Sequence, residues 1–499
     1  MNNIRQRALS GLGWSGATRI LEQTLQFGIS VILARLLSPR DFGLIGMVLV
    51  FTGFASSLSD MGLGASLVQQ RTVSGRHLNT VFWVNVAAGT LLAILFGLAA
   101  PLIARFYKEP LLRLLTSIVA LNLFLGSLNG VQNALLDRSL NFRTKFLIGG
   151  ASLSVSGIVA VALALSGAGV WSLVAQAITS TAIQVVVMWR LSSWRPRLSF
   201  DVSAFRELMH FGGNLMGVTV VNYWGRNFDK LVIGRLLGSA TLGIYNLADK
   251  LMRLPADNVL GITTAVMFPA LSAMQEEVES VKRTYLRATR LIALFIFPTM
   301  IGLTILAEPA ILVIYGDKWR EAISITRILC LSGLAQSIYP TGGWIFLSRG
   351  RADIMFRWGV YTTLIRAVGV LVGAHWGIMG VAWAYVLGTY IFICYPPWSS
   401  ALRLVNLGFK ELLTNVAGPF YCAVSMGLLL WISDRLIFGS QASVIRLVIQ
   451  VPLGVLVYGF LIRQFRLEAF GEVQKIVLEV GGRWSPLIRW LAGDKSPNS

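Results

Sequence analysis

Apolar runs, each about the length of a bilayer crossing, follow one another from Leu12 to Ile462 with short polar interruptions. A membrane-spanning helix needs about 20 mostly apolar residues, which predicts about 14 spans here. They fall near Leu12–Leu36, Phe42–Gln69, Leu78–Ala104, Leu111–Leu136, Phe146–Leu165, Val170–Arg190 and Phe211–Leu237. The remainder lie near Thr241–Phe268, Tyr285–Ala307, Ile323–Leu347, Ile354–Ala374, Ile378–Leu402, Leu412–Ile432 and Val444–Ile462. Leu147–Leu165 and Val424–Ile432 carry no charge and lack the two-residue alternation of a barrel strand. The pattern reads as an all-α polytopic membrane protein.

Charge interrupts this pattern at particular places. Arg19 and Glu22 stand in the first span, and Tyr223-Trp-Gly-Arg-Asn-Phe-Asp-Lys230 stands in the seventh. The eighth carries Asn246, Asp249, Lys250, Arg253 and Asp257. Ionised side chains at mid-bilayer cost several kcal/mol, so they usually face a wet cavity and pair with one another. A hydrated chamber walled by lipid-embedded helices is the expectation.

Composition supports the membrane reading: 55% of residues are hydrophobic and 13% charged, against about 25% charged in soluble domains. The net charge of +20 would suggest nucleic acid in a soluble protein. Here it fits cytoplasmic loops, which collect Lys and Arg, and no basic run is interleaved with aromatics, so no nucleic-acid partner is expected. With the N-terminus inside, the inside loops hold about 20 basic residues against about 10 outside, which predicts both termini in the cytoplasm. Cys330, Cys394 and Cys422 lack metal-type spacing, and His77, His210 and His375 make no cluster. The basic Met1–Arg7 segment leads into a run too long for a cleaved signal peptide.

An internal repeat is visible. Ile32-Leu-Ala-Arg-Leu-Leu-Ser-Pro-Arg-Asp-Phe-Gly43 matches Val232-Ile-Gly-Arg-Leu-Leu-Gly-Ser-Ala-Thr-Leu-Gly243, 200 positions on. Gly167-Ala-Gly-Val-Trp171 has a weaker echo in Gly377-Ile-Met-Gly-Val-Ala-Trp383. We therefore expect two parallel six-span lobes, residues 1–190 and 207–402, with a midplane site between them. Residues 191–206 form a cytoplasmic linker centred on Trp194-Arg-Pro-Arg197, 403–464 two additional helices, and 465–499 a cytoplasmic tail. Spaced apolar residues in that tail fit either an interfacial helix or a solvated segment.

Several motifs resemble those of the polysaccharide-transporter (Wzx-type) flippases. They are Gly11-Leu-Gly-Trp-Ser15, Ile32 to Gly46, Ser59-Asp-Met-Gly-Leu-Gly64, Val81-Phe-Trp-Val-Asn85, Ser193-Trp-Arg-Pro196, Leu242-Gly-Ile-Tyr-Asn-Leu-Ala-Asp249 and Phe268-Pro-Ala-Leu-Ser272. The branch resembled is the one with colanic-acid exporters, and the similarity is strong over about Ser10 to Ser272. The resemblance implies the multidrug/oligosaccharidyl-lipid/polysaccharide exporter superfamily, with two six-helix lobes forming a V-shaped central cavity. It implies transfer of an undecaprenyl-pyrophosphate-linked oligosaccharide repeat unit across the bacterial inner membrane, for exopolysaccharide, capsule or O-antigen synthesis. A polysaccharide polymerase and a chain-length regulator are the partners it implies, beside membrane lipids and the lipid-linked oligosaccharide.

Such a cargo needs cations for its phosphates, and Arg offers planar multi-donor geometry. The cavity candidates are Arg19, Glu22, Asp60, Arg226, Asp229, Lys230, Asn246, Asp249, Lys250, Arg253 and Asp257. Arg226, Asp229 and Lys230 share one side by helical spacing, and Asp249, Arg253 and Asp257 follow at i,i+4 steps. An intrahelical ion pair is the alternative for Arg19 and Glu22, and an interlobe ion-pair latch for the second stripe. Asp60 fits a cavity or a helix end. Asn85, Asn122, Asn129, Gln132 and Asn133 fit sugar binding or interhelical hydrogen bonds. Arg366 stands as a lone charge in its span. No catalytic group, cofactor or metal is expected, and a proton or sodium gradient is the candidate driving force. Rival readings are a drug/cation antiporter, a peptidoglycan-precursor flippase, and an enzyme such as a membrane polymerase or ligase. Short outside loops and the absence of a nucleophile–base pair weigh against the enzyme, and the lack of a Walker motif against ATP drive.

Overall fold

The computed structural model describes residues 21–59, 62–70, 72–139, 141–438, 441–465 and 471. Arg19, Asp60 and most of the tail lie outside the described residues. No strand occurs among the described residues. The helices are α1 (residues 21–36), α2 (Pro39–Ser59), α3 (Leu63–Gln69), α4 (Gly75–Tyr107), α5 (Leu112–Val119), α6 (Leu121–Ser127) and α7 (Gly130–Arg138). They continue with α8 (Phe142–Leu165), α9 (Val170–Leu191), α10 (Val202–Leu237), α11 (Ser239–Ala273), α12 (Val278–Ile314) and α13 (Ala322–Ile338). The last are α14 (Gly342–Ser348), α15 (Ala352–Gly373), α16 (Gly377–Gly388), α17 (Tyr395–Arg403), α18 (Phe409–Ser433) and α19 (Ser443–Gln464).

Among the described residues, nine stretches are long and apolar enough to cross a membrane, and ten with the bent pair Leu112–Ser127 and Gly130–Arg138. The first expected span, Leu12–Leu36, lies partly outside the described residues; the rest of the difference from about 14 has physical origins. Helices α10 and α11 carry the charge that the sequence already flagged. Ala352–Arg403 passes as one stretch of 52 residues, about 78 Å at the α-helical rise and far beyond a hydrocarbon core of about 30 Å. A 3-10 turn at Ala374–Trp376 interrupts it, followed by Gly377 at φ 69°.

Two compact units are present. One comprises Met1–Asn246 with Ala374–Ile378, the other Leu247–Gly373 with Met379–Ser499. The first therefore includes the 191–206 segment, α10 and the first turns of α11. That segment is held against the start of α4. Asn79 donates to the Ser199 hydroxyl at 2.8 Å and accepts from the Arg197 N–H at 3.0 Å. Trp83 donates to the Arg197 carbonyl at 2.9 Å, and the Asp201 N–H donates to Thr80 at 3.0 Å. Phe82 packs edge-on to Trp83, Trp189 and Trp194. The Phe-Trp and Trp-Arg-Pro motifs, far apart in sequence, thus form one aromatic box.

The repeat motif begins a helix by its own chemistry. Ser38 donates through N–H and hydroxyl to the Asp41 carboxylate at 2.9 and 2.6 Å, and Pro39 opens α2. This is capping at the N-terminus with Pro at the first position. Within the first unit, α2 then crosses the start of α11 at the repeat-equivalent glycines. A Cβ on Gly43 would overlap the Ser239 carbonyl, and one on Gly243 would overlap the Pro39 carbonyl. Glu109 ties both helix starts together, accepting from Arg40 at 3.1 Å and from the Ser239 hydroxyl at 2.9 Å.

Backbone cannot step aside as a flexible side chain can. Gly43→Ala and Gly243→Ala should each cost about 1–3 kcal/mol or more by overpacking, lowering the melting temperature of the purified protein. Gly97→Ala, on α4 where a Cβ meets open space, should not. Equal melting temperatures for all three would refute the crossing.

Asp201 caps α10, and its carboxyl lies below its ordinary range because the Ser203 hydroxyl donates to it, then the Ala204 N–H, with Arg76 nearby. A depressed folded value means the cap contributes above the ordinary carboxylate range and is lost as pH falls through the folded value. Acidification should fray the first turn of α10, read as lower hydrogen-exchange protection factors at Ser203 and Ala204, and Asp201→Asn should flatten that dependence. Identical pH profiles for the two proteins would contradict it.

Candidate functional site

The charged run of α10 is sorted by side. Asp229 is buried, 5% exposed, and its carboxylate accepts from the Tyr245 hydroxyl of α11 at 2.7 Å and from the Lys230 N–H at 2.8 Å. Arg226 is exposed and Lys230 half-buried, its ammonium 3.4 Å from the Asn227 side-chain Oδ1. Tyr223 braces α10 against α2, donating to the Val50 carbonyl at 2.7 Å. Helical spacing put Arg226, Asp229 and Lys230 on one side. The structure turns the acid toward α11 and leaves Arg226 outside. Asn246 is half-buried and sits against Gly46 of α2.

In the second unit, α11 carries an ion pair joined to a polar chain. Arg253 donates to Asp249 at 2.6 Å and to the Tyr385 hydroxyl of α16 at 3.2 Å. Tyr385 donates in turn to Gln336 of α13 at 3.2 Å, and Gln336 to Ser332 at 2.9 Å. The Arg366 guanidinium of α15, read as a lone charge from sequence, lies over the Tyr385 ring at 5.3 Å. Side chains of Asp249 and Arg253 are 4% and 19% exposed, so this is a buried pair. Lys250 and Asp257 are exposed. Tyr245, Tyr385 and Gln336 are the partners that sequence reading missed, since nothing in a lone Tyr or Gln within an apolar run announces a distant carboxylate or guanidinium.

Glu22, half-buried on α1, packs against Gly149 of α8. The cysteines are free and buried, and no group of three or more His, Cys, Asp and Glu suited to a metal occurs among the described residues. The arrangement can hold charge inside apolar helices and present cations at their surfaces.

A family profile described as polysaccharide biosynthesis protein matches residues 32–324. The chain belongs to the polysaccharide biosynthesis protein family. The resemblance in the sequence motifs is thereby borne out. This family member is 28% identical to the teichuronic acid biosynthesis protein TuaB of Bacillus subtilis, over 96% of this chain and 99% of that one. It is 28% identical to the succinoglycan biosynthesis transport protein ExoT of Rhizobium meliloti, over 90% of this chain and 92% of that one. Its fold is that of lipid II flippase MurJ in an inward closed conformation, with TM-score 0.73 at 16% identity, covering 92% of this chain and 98% of that chain.

Removing one partner of a buried ion pair leaves the other uncompensated, at about 3–5 kcal/mol. Asp249→Ala should therefore destabilise the purified protein more than Tyr385→Phe, which removes a hydroxyl that accepts from Arg253 and donates to Gln336, worth about 1–3 kcal/mol. Equal denaturation midpoints for the two variants would show that Arg253 does not depend on Asp249.

Proposed function

We propose that this family member is a flippase for a lipid-linked oligosaccharide. It moves the unit, carried on undecaprenyl pyrophosphate, from the cytoplasmic to the periplasmic leaflet of the bacterial inner membrane by alternating access, with both termini cytoplasmic. The observation that carries this reading is the sorting of charge on α10 and α11. Asp229 and Asp249 are buried and bonded within their own units, while Arg226 is exposed in the first unit and Lys250 in the second, where Asp257 is the exposed acid of the Asn246–Asp257 stretch. Surfaces that hide acids and present cations suit an anionic headgroup. They do not suit a cationic drug, which needs the acids accessible.

In this reading Arg226, Lys230 and Lys250 meet phosphate oxygens and Arg253 is held in place by Asp249 and Tyr385. Arg19, Glu22 and Asp60 belong to the same proposed chamber. An apolar groove of about 760 Å³ in the second unit, between α12, α18 and α19, is lined by Pro298, Leu303, Met426, Leu447 and Val455 among others. It matches the chemistry of a polyprenyl chain, whose isoprene units have no polar group to satisfy. Relatives named for teichuronic acid and succinoglycan biosynthesis support a polysaccharide precursor as cargo. Delivery to a separate polymerase and chain-length regulator follows from a cargo released outside.

Deleting the chain from its host should build up the lipid-linked unit on the cytoplasmic side and abolish the surface polymer. Re-expressing Arg226→Ala at wild-type protein level should lower export roughly tenfold or more, as for loss of a charge-assisted hydrogen bond. Normal polymer with cationic-dye efflux lost on deletion would favour a drug antiporter instead.

A further inference from the structure

The span expected at Leu111–Leu136 is discontinuous: Leu112–Ser127 and Gly130–Arg138 meet at a bend of 43°. No Pro causes it. Asn129 precedes α7 at the N-cap position but makes no side-chain cap bond. Beside this break, inside the first unit, lies a cavity of about 450 Å³ between α2, α3, α6 and α7. Its volume falls within the range of about 300–1,000 Å³ for small-ligand pockets. Ser56, Ser59, Asn122, Asn133 and Asp137 line it with hydroxyls, amides and one carboxylate. That carboxylate is already paired with Lys145. Gly126 lines it too, and a Cβ there would meet nothing within 4 Å.

The break is also rich in buried polar atoms without partners. The Asn122 and Asn129 side-chain carbonyl oxygens, and both amide atoms of Gln132, are buried with no hydrogen-bond partner. Of these side chains Asn122 lines the cavity, while Asn129 and Gln132, 4% and 2% exposed, are buried at the break outside its lining. Such groups are rare in folded proteins because each costs about 1–3 kcal/mol. Interhelical bonding, the alternative open from sequence, does not employ these atoms. Broken membrane helices are tolerated where they line a cavity, and in transporters they form substrate sites.

We propose that this cavity is a glycan subsite, taking a neutral sugar ring of the cargo through its hydroxyls; the proposal rests on the flippase reading. Hydroxyls both donate and accept, which matches amides and serines. Among the described lining residues, a paired carboxylate and no other ionised group exclude the pyrophosphate, whose cations lie on α10 and α11. Recognition is thereby divided: fixed charge for the headgroup, amides at the α6/α7 break for the sugar.

The test separates the two readings. In cells deleted for the chain, unchanged polymer and no build-up of the lipid-linked unit would sink the flippase reading itself. If deletion does cause build-up, cells expressing Asn122→Leu or Gly126→Leu at wild-type protein level decide the subsite. Export should fall roughly five- to tenfold, as for one lost neutral hydrogen bond or more, whereas Gly97→Leu should export normally. Should Gly126→Leu fail to reach the membrane, Asn122→Ala and Asn133→Ala serve in its place. Purified protein then supplies a binding readout with two probes, the neutral oligosaccharide released from the host's own polymer and inorganic pyrophosphate. Asn122→Leu should weaken the first at least fivefold and leave the second unchanged. Wild-type export by these variants, or equal oligosaccharide binding by wild type and Asn122→Leu, overturns the subsite.

Discussion

The first unit depends on a place where two backbones touch. Gly43 and Gly243 stand at equivalent points of an internal repeat, and each lies where a side chain would collide with a carbonyl of the other helix start. In hydrocarbon there is little hydrophobic drive between helices, so close packing and polar contacts must hold them together. Glycine permits that approach, and Glu109 adds the polar contacts by reaching Arg40 and Ser239 together. Once α2 and α11 are locked there, α11 brings Tyr245 to Asp229 of α10. Backbone contact thus decides where the buried acid finds its donor.

A second constraint follows from the cost of charge. Each buried acid has a short, specific donor: Tyr245 for Asp229, Arg253 for Asp249. Neither acid is left for water or cargo. The cations around them are less enclosed, with Arg226 and Lys250 exposed. A helix that tolerates charge only in this sorted form keeps its stability while presenting positive potential. Burying an arginine of these helices without its acid would destabilise the helix instead.

Much of the architecture was legible because spans are long and apolar. Val170–Arg190 was read and Val170–Leu191 is found, and Leu412–Ile432 lies inside α18. The repeat was legible as similarity, but its two glycines gave no sign that they touch. The α6/α7 break was hidden because Leu128 and Asn129 are not strong helix breakers and hydropathy continues through them. Site residues were legible as charges out of place, yet their partners were not. Arg253 meets Tyr385 across 132 positions and Tyr385 meets Gln336 across 49. Periodicity sees one helix at a time, so it grouped Arg226 with Asp229, which tertiary packing separates.

Basic residues counted for orientation also have structural work at helix ends. Arg138 donates to the Leu67 carbonyl at 3.1 Å near the end of α3. Arg195 donates to the Trp189 carbonyl at 2.8 Å, and its guanidinium lies over the Trp189 ring. Arg349 reaches the Gln275 carbonyl just past α11. The last carbonyls of a helix lack intrahelical donors and carry its negative dipole end, so a guanidinium satisfies both needs. Arg138, Arg195 and Arg349, which the basic-residue count would place inside, therefore serve packing as well as charge. An Arg-to-Lys exchange at these positions would keep the topology signal while giving up the planar multi-donor fork that reaches several carbonyls, so topology and packing make separable demands on the same side chain.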